Sequence, residues 1–309
     1  MDFTLHQLRI FLQVAHYQSI TKASESLHLT QPAVSIQMKK LQDQFDIPIT
    51  EVIGRKLYLT DFGKELAEAA KRIMEEVEGV GHLAHAYRGN LSGKLKISVV
   101  STGKYVMPYF LSEFTHRHEG VKLVMDVTNR KFVIHSLEQN EPDFALVSVL
   151  PDQLSVEREE LMDNELFLIS NPSLVPDTEA LEPEIMNRFP LIFREPGSAT
   201  RQAMEGYIER MGISNSRLLE LTSNEAVKQA VMAGLGISIM PLIGIRRELE
   251  KGTLKVIPVA GFPIVTTWNL IWLKGKQHSP ASTAFLDYIR QEKQVIINKY
   301  FRDTVSPDR

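Results

Sequence analysis

Residues 15–45 read AHYQSITKASESLHLTQPAVSIQMKKLQDQF, and the placing of apolar and capping residues in this stretch decides the fold of the amino-terminal part of the chain. Ile20, Ala23, Ser24 and Leu27 fall on one face of a short helix that Ser19 or Thr21 is placed to cap. A tight connection, His28-Leu29-Thr30, leads into a further helix. Thr30 is its N-cap, and Pro32 sits in the first turn, where a missing N–H costs little. Val34, Met38, Leu41 and Phe45 give that helix a buried stripe, while Gln31, Ser35, Gln37, Lys39 and Lys40 lie on other faces. Upstream, Leu5, Leu8, Ile10, Phe11, Leu12, Val14 and Ala15 repeat at helical spacing behind Thr4.

Three helices with a tight turn before the last match the helix-turn-helix plan, in which the last helix enters the DNA major groove. Gln31, Ser35 and Gln37 have side chains able to read base edges. Lys39, Lys40, Arg55 and Lys56 are placed to meet phosphates, and Ser19, Thr21, Thr30 and Pro32 complete the candidate DNA-binding set. Gly54 to Thr60 alternates as a short hairpin arm, a wing beside the last helix. Periodicity alone fits any three-helix bundle. Six basic against five acidic residues in 1–60 leave the choice open.

The whole chain has 309 residues, 43% apolar and 24% charged, which suits two or three domains with cores of their own. With 35 Lys and Arg against 38 Asp and Glu, the formal charge of −3 gives no bulk signal for nucleic acid. The absence of cysteine excludes disulfide scaffolds, cysteine-based zinc sites, iron–sulfur clusters and thiol nucleophiles. Asp2 and the lack of a basic leader argue against a secretory signal, and no run approaches the ~20 apolar residues of a membrane span. A cytoplasmic protein without membrane contact is expected.

From Asp61 to about Tyr87 there is no proline, and Phe62, Leu66, Ala69, Ile73, Val77, Val80, Ala84 and Tyr87 follow one another at spacings of three and four. That is close to a heptad seam, which calls for a partner helix and predicts a dimerising linker over 61–90. Gly79 and Gly81 weaken the seam and are candidates for a bend. His82 and His85 have no third ligand nearby and read as surface histidines.

Beyond Asn90 the pattern changes to strands alternating with helices, which implies α/β units on parallel sheets. Leu95–Val100, Val121–Val127, Phe144–Val149, Phe167–Ile169, Leu191–Phe193 and Ile237–Met240 read as strands; Val106–Arg117 and Phe132–Gln139 read as helices. About 215 residues exceed one sheet, so two subdomains are expected. Ligands of such folds gather at the carboxyl ends of strands, against helix N-termini. Three junctions there are rich in small polar groups: Ser101-Thr102-Gly103, Thr128-Asn129-Arg130 and Glu195 through Arg201. The hydroxyls of Ser198 and Thr200 and the guanidinium of Arg201 suit a carboxylate or phosphate, and Ser223-Asn224-Glu225 opens another helix.

No nucleophile elbow, zinc-protease helix, phosphate-binding P-loop or dinucleotide fingerprint is present. Ser198 has no indicated His–acid pair, so no catalytic residue, metal or cofactor is assigned. The alternative for residues 91–309 taken alone is a two-lobed α/β binding protein or enzyme acting on an anionic substrate.

The run from Phe3 to Leu66, including ASESLHLTQPAVS and then IGRKLYLTDFG, resembles the DNA-binding domain of LysR-type transcriptional regulators. VVSTGKYVMP, FREPGSATR, SNEAVKQAVMAGLGISIMP and the late GFPI segment resemble the family's effector-binding domain, most closely its CbbR-type branch, which regulates RuBisCO operons. The resemblance runs from Gln7 to about Ile289. It implies an all-α winged helix-turn-helix domain over 1–60, a linker helix over 61–90, and a periplasmic-binding-protein-like α/β domain over 91–309. In that domain subdomain I comprises 91–162 and 267–309, subdomain II 163–266, with crossings near Asp163 and Thr266. By the same resemblance Ser101, Thr102, Thr128, Asn129, Ser198, Thr200, Arg201 and Asn224 line an effector cleft. The partners implied are an interrupted DNA palindrome, a small anionic metabolite, further copies of the chain in a homodimer or homotetramer, and RNA polymerase. One departure stands out: Ile49-Thr50-Glu51-Val52 replaces the usual Leu-Phe-Glu-Arg, removing a phosphate contact and wing-packing groups.

Overall fold

A computed structural model describes residues 2–54, 56–86, 91–176, 181–214 and 217–301, without the side chains of Glu75, Glu78 and residues 81–86. It separates into two compact units, Met1–Gly89 and Asn90–Arg309.

In the first unit, helices α1 (Leu5–Tyr17), α2 (Ile20–Ser26) and α3 (Gln31–Gln42) form where the periodicity places them. Thr4 caps α1 in a reciprocal box with Gln7, Ser19 rather than Thr21 caps α2, and Thr30 caps α3. Left-handed residues Gln18 and His28 supply the sharp reversals between them. Leu8, Ile10, Phe11, Val14, Ala23, Val34, Met38 and Leu41 make one core with Ile49. The wing is the hairpin β1 (Thr50–Ile53) and β2 (Lys56–Leu59), turned at the left-handed Gly54. Gln42 fastens its root: the side-chain amide donates to the carbonyls of Phe45 and Ile47, and its oxygen accepts from the Ile49 N–H. Ile49 is wholly buried and Val52 is 71% exposed. The wing root is therefore packed even without the missing phenylalanine.

Helix α4 (Asp61–Ala86) is continuous across Gly79 and Gly81, so these glycines do not break it. Its Ala70 and Met74 are buried, and it packs on α1. Ile73, Val77 and Val80 of the heptad row are left exposed. Near its start, a Cβ on Gly63 would lie 2.0 Å from the backbone carbonyl oxygen of Ile49. Neither backbone can yield independently. We expect Gly63→Ala to destabilise this unit by about 2 kcal/mol, read as a lowered first transition in thermal denaturation. An unchanged transition would show that α4 does not need this close approach.

In the second unit, β3 (Ser92–Val100) pairs in parallel with β4 (Gly120–Thr128) and β5 (Phe144–Val147), with α5 (Met107–Arg117) and α6 (Arg130–Glu138) between them. Two long strands, β6 (Val156–Ser170) and β11 (Ile264–Leu273), run antiparallel along their whole common length. The parallel pairing expected from the alternation of elements holds for β3, β4 and β5, while the sheet as a whole is mixed. In it β11 also pairs antiparallel with β5, and β9 (Ser238–Pro241) and β10 (Lys255–Val256) pair antiparallel with β6. The strands β7 (Leu191–Arg194) and β8 (Leu218–Leu221) form a separate parallel pair flanked by α7 (Ala199–Arg210) and α8 (Asn224–Met232). The short α9 (Arg246–Glu250) and the long α10 (Pro280–Tyr300) complete the unit.

Among the described residues this unit holds three apolar clusters, of which two are the larger. Leu161, Trp268 and Leu270 belong to one, with β3, β5, α5 and α10; Leu166 belongs to the other, with Ile264 packed against it. The division therefore falls partway along β6 and β11, where Asp163 faces Thr267 and Asn164 faces Thr266 across the ladder. Asn164 donates to the Thr266 hydroxyl at 2.9 Å, holding the pair at that level. Among the described residues no helix is long and apolar enough to cross a membrane, and no group of three acidic or histidine side chains is placed to hold a metal ion. The side chains of His82 and His85 lie outside the described residues.

Candidate DNA interface and effector cleft

The exposed surface of α3 comprises Gln31, Pro32, Ile36, Lys39 and Lys40. Ser35 is half-buried on the flank, and Gln37 is half-buried toward the side of the core stripe. Thr21 and Thr30 are exposed, and Lys56 projects from the wing. Arg55 lies outside the described residues. The hydroxyls of Ser19 and Thr30 already accept backbone N–H groups of Lys22 and Ala33, so their first task is to set the helix starts. The unit offers a polar and basic helix face with a hairpin beside it.

In the second unit, the register of the parallel strands brings several candidate residues to one sheet edge. Val100 pairs with Thr128, so Ser101 and Asn129 follow at the same level. A Cβ on Gly103 would meet Val99 Cγ1 at 2.6 Å and Leu146 Cδ2 at 2.8 Å, which lets the turn after β3 press against the sheet. Asn129 uses its Oδ1 to accept from the Phe132 N–H and cap α6. From the other lobe, Arg194 ends β7 and Asn224 begins α8. Arg194 Nη2 donates to Ser101 Oγ at 3.2 Å, and Asn224 Nδ2 approaches the same oxygen at 3.4 Å. Ser101 is thus the point where three segments converge.

Arg194 is only 3% exposed. Its Nε and Nη2 bind Glu195 bidentately, both at 2.8 Å, and its buried Nη1 has no hydrogen-bond partner. Asn224, 2% exposed, likewise keeps Oδ1 unpartnered. A buried donor or acceptor without a partner is costly, which sets these two atoms apart from the other polar groups around Ser101. Thr102, Ser198 and Thr200 are buried on the adjoining segments, and Ser198 makes no capping bond although it stands at the N-cap of α7. Tyr105, whose ring packs where a Cβ on Gly244 would lie, also has an unpartnered buried hydroxyl. Burial pushes its pKa up, so it stays protonated and able to donate. Nearby, Lys228 pairs with Glu248 at 2.9 Å and Glu225 at 3.1 Å. Burial opposes its charge, but these two carboxylates outweigh it and hold its pKa above the ordinary value.

Arg201 is held by two carboxylates and a carbonyl of its own chain. Its Nε binds Glu205 and its Nη1 binds Glu220, each at 2.6 Å. Nη1 also donates to the Arg194 carbonyl at 2.9 Å, and the guanidinium stands over the Phe193 ring. Bonds to Glu205 and Glu220 raise its pKa, as expected for a cation already neutralised. Sequence reasoning passed over Arg194, although an arginine closing the apolar run Leu191-Ile192-Phe193 was a legible signal. A buried strand gains nothing from a charge at its end unless the charge is paired or used.

A family model described as "LysR substrate binding domain" matches residues 88–294, and one described as "Bacterial regulatory helix-turn-helix protein, lysR family" matches residues 5–64. Over 293 residues the chain is 37% identical to the RuBisCO operon transcriptional regulator of Allochromatium vinosum, covering 94% of this chain and 97% of that protein. The solved regulatory domain of CcmR from Synechocystis PCC6803, in complex with 2-PG, is 32% identical with a TM-score of 0.62, covering 66% of this chain and 98% of that one. Full-length CbnR, solved with its target DNA, shares the fold over 94% of this chain and 99% of its own, at a TM-score of 0.68 and 21% identity.

Proposed function

The chain belongs to the LysR family of bacterial transcriptional regulators, and on that premise we propose that it reads an interrupted palindrome as a homodimer or homotetramer under the control of a small anionic metabolite. It is a DNA-binding regulator with an effector-binding domain, and its curated relatives are named as regulators rather than enzymes. The enzyme alternative for the second unit is thereby set aside.

The observation that carries the anionic effector is Arg194, buried to 3% exposure with Nη1 unpartnered. Glu195 neutralises its other edge, so the free donor is fixed in direction, and Ser101 and Asn224 flank it from the two lobes. In a site of low dielectric, a directed guanidinium bond to a carboxylate or phosphate is among the strongest neutral-pH contacts available. Thr102, Ser198 and Thr200 supply hydroxyls, Thr128 and Asn129 the rim, and Arg201 a positioning contact through the Arg194 carbonyl. The 2-PG of the CcmR regulatory domain supports an effector of this class. Phosphorylated sugars, organic acids and reduced nicotinamide nucleotides are the candidates. A thermal-shift screen of central-carbon metabolites on the full chain, joined to footprinting upstream of its gene, tests the assignment. If no anionic metabolite raises the transition temperature or alters the footprint, the reading of the cleft fails.

For DNA, Lys39 and Lys40 of α3 with Arg55 and Lys56 of the wing are assigned to phosphates, and Gln31 and Ser35 to bases, with Gln37 on the flank. Lys39→Ala or Lys40→Ala is expected to weaken binding across all sequences and to lower the slope of log affinity on log salt by about 1. Gln31→Ala is expected to cost about 1–3 kcal/mol on the preferred sequence alone. Equal loss on every sequence for Gln31→Ala would assign it to phosphate instead. At the promoter the bound regulator is proposed to act on RNA polymerase.

A further inference from the structure

We propose that Ile36 is a base-reading residue that seats against thymine methyl groups in the major groove. The inference rests on α3 being the helix that faces the bases. Ile36 is 54% exposed, and the core of the first unit leaves it out. At about 100° per residue, Val34, Met38 and Leu41 define the inward direction of α3. Ile36 then points within about 15° of the opposite direction. Pro32 lies one turn before it, Lys39 and Lys40 one turn after, and all three are exposed.

A single exposed aliphatic residue on a solvated helix needs no explanation. Here, however, the residue occupies the outward axis of a helix whose exposed face otherwise carries Gln31, Pro32, Lys39 and Lys40, so that it is the one large aliphatic group there. The two lysines draw this face against phosphates, which brings the outward axis over the base edges. Isoleucine can neither donate nor accept a hydrogen bond, so any other base edge it covered would lose water without compensation. In the major groove the group that rewards an aliphatic contact is the thymine 5-methyl. The polar candidates Gln31 and Ser35 would then set hydrogen-bonded positions to one side, with Ile36 reading the thymine between them and the lysine-bound backbone.

The test uses the full chain and a duplex recovered from a random library by repeated rounds of retention, resynthesised with uracil replacing thymine at one position at a time. The parent protein is expected to lose about three- to fivefold in affinity at one or two thymines per half-site. Ile36→Ala is expected to bind thymine and uracil versions equally at those positions with an unchanged salt slope, while Ile36→Val retains the penalty. Circular dichroism of each variant checks the fold, which an exposed substitution leaves intact. The proposal is overturned if uracil is tolerated at every position by the parent protein, or if Ile36→Ala keeps the full penalty. Absence of salt-dependent retention of any duplex by the parent protein would instead defeat the DNA-reading premise along with it.

Discussion

Val77→Asp is expected to lower affinity for a two-half-site DNA by about a thousandfold while each chain remains folded. The expectation follows from the exposed row Ile73, Val77 and Val80 on a helix whose Ala70 and Met74 are already buried within the unit. A row at spacings of three and four that its own unit leaves uncovered fits a second copy of the same helix. A carboxylate in the middle of such a seam is desolvated without a partner, which dissociates the pair. Two half-sites then bind separately, and the gain from tethering them is lost. Sedimentation velocity should show the mass fall to the monomer, and mobility shifts should show the affinity loss; Glu68→Ala, at an exposed position of α4, serves as the control. Unchanged mass with affinity within about threefold of the parent would remove this helix from the dimer interface.

Arg194→Gln is expected to abolish the effector response, with affinity for the metabolite reduced by more than about a hundredfold, and to leave DNA binding without effector intact. Glutamine keeps most of the volume but ends at the level of Nε, so it brings neither the Ser101 contact of Nη2 nor a charge to the buried position that Nη1 occupies. Arg194→Lys restores charge without the planar fork and recovers only part of the response. Arg201→Ala is the informative comparison. Its ion pairs to Glu205 and Glu220 lie at half-exposed carboxylates, so its loss acts through the Arg194 carbonyl contact and is expected to cost less than tenfold. Isothermal titration with the metabolite found in the screen decides between them. A larger loss for Arg201→Ala than for Arg194→Gln would return the anion contact to Arg201.

The first unit was largely legible because its signals are local. Caps at Thr4, Ser19 and Thr30 and the stripes of α1 and α3 depend on residues three or four apart. The second unit hid its main features in pairings distant along the chain. Phe167–Ile169 read as a short strand because only the buried end of β6 is apolar; the half beginning Val156-Glu157-Arg158-Glu159-Glu160 is held by β11 from more than a hundred residues away. Arg194 and Asn224 were similarly invisible as a pair, since their meeting at Ser101 joins segments separated by 93 and 123 positions. Arg201 attracted attention because a cation beside small hydroxyl residues resembles an anion site. In the fold Glu205, one turn later, and Glu220 bind the same guanidinium, pairings that the spacing of small hydroxyl residues does not reveal.

The paired strands β6 and β11 have a mechanical consequence. They cross between the two cores as a hydrogen-bonded ribbon with Asn164 clipped to Thr266, and the register shifts at Trp268/Asn269 immediately beyond. A ribbon is stiffer than two separate threads: its bending and twisting strain backbone hydrogen bonds in both strands together, and the irregular step is where such deformation concentrates. If the proposed effector draws the lobes together at Arg194, it must deform this ribbon, so Thr266→Gly, which removes the Asn164 clip, is expected to shift the concentration at which the regulator responds without touching the cleft.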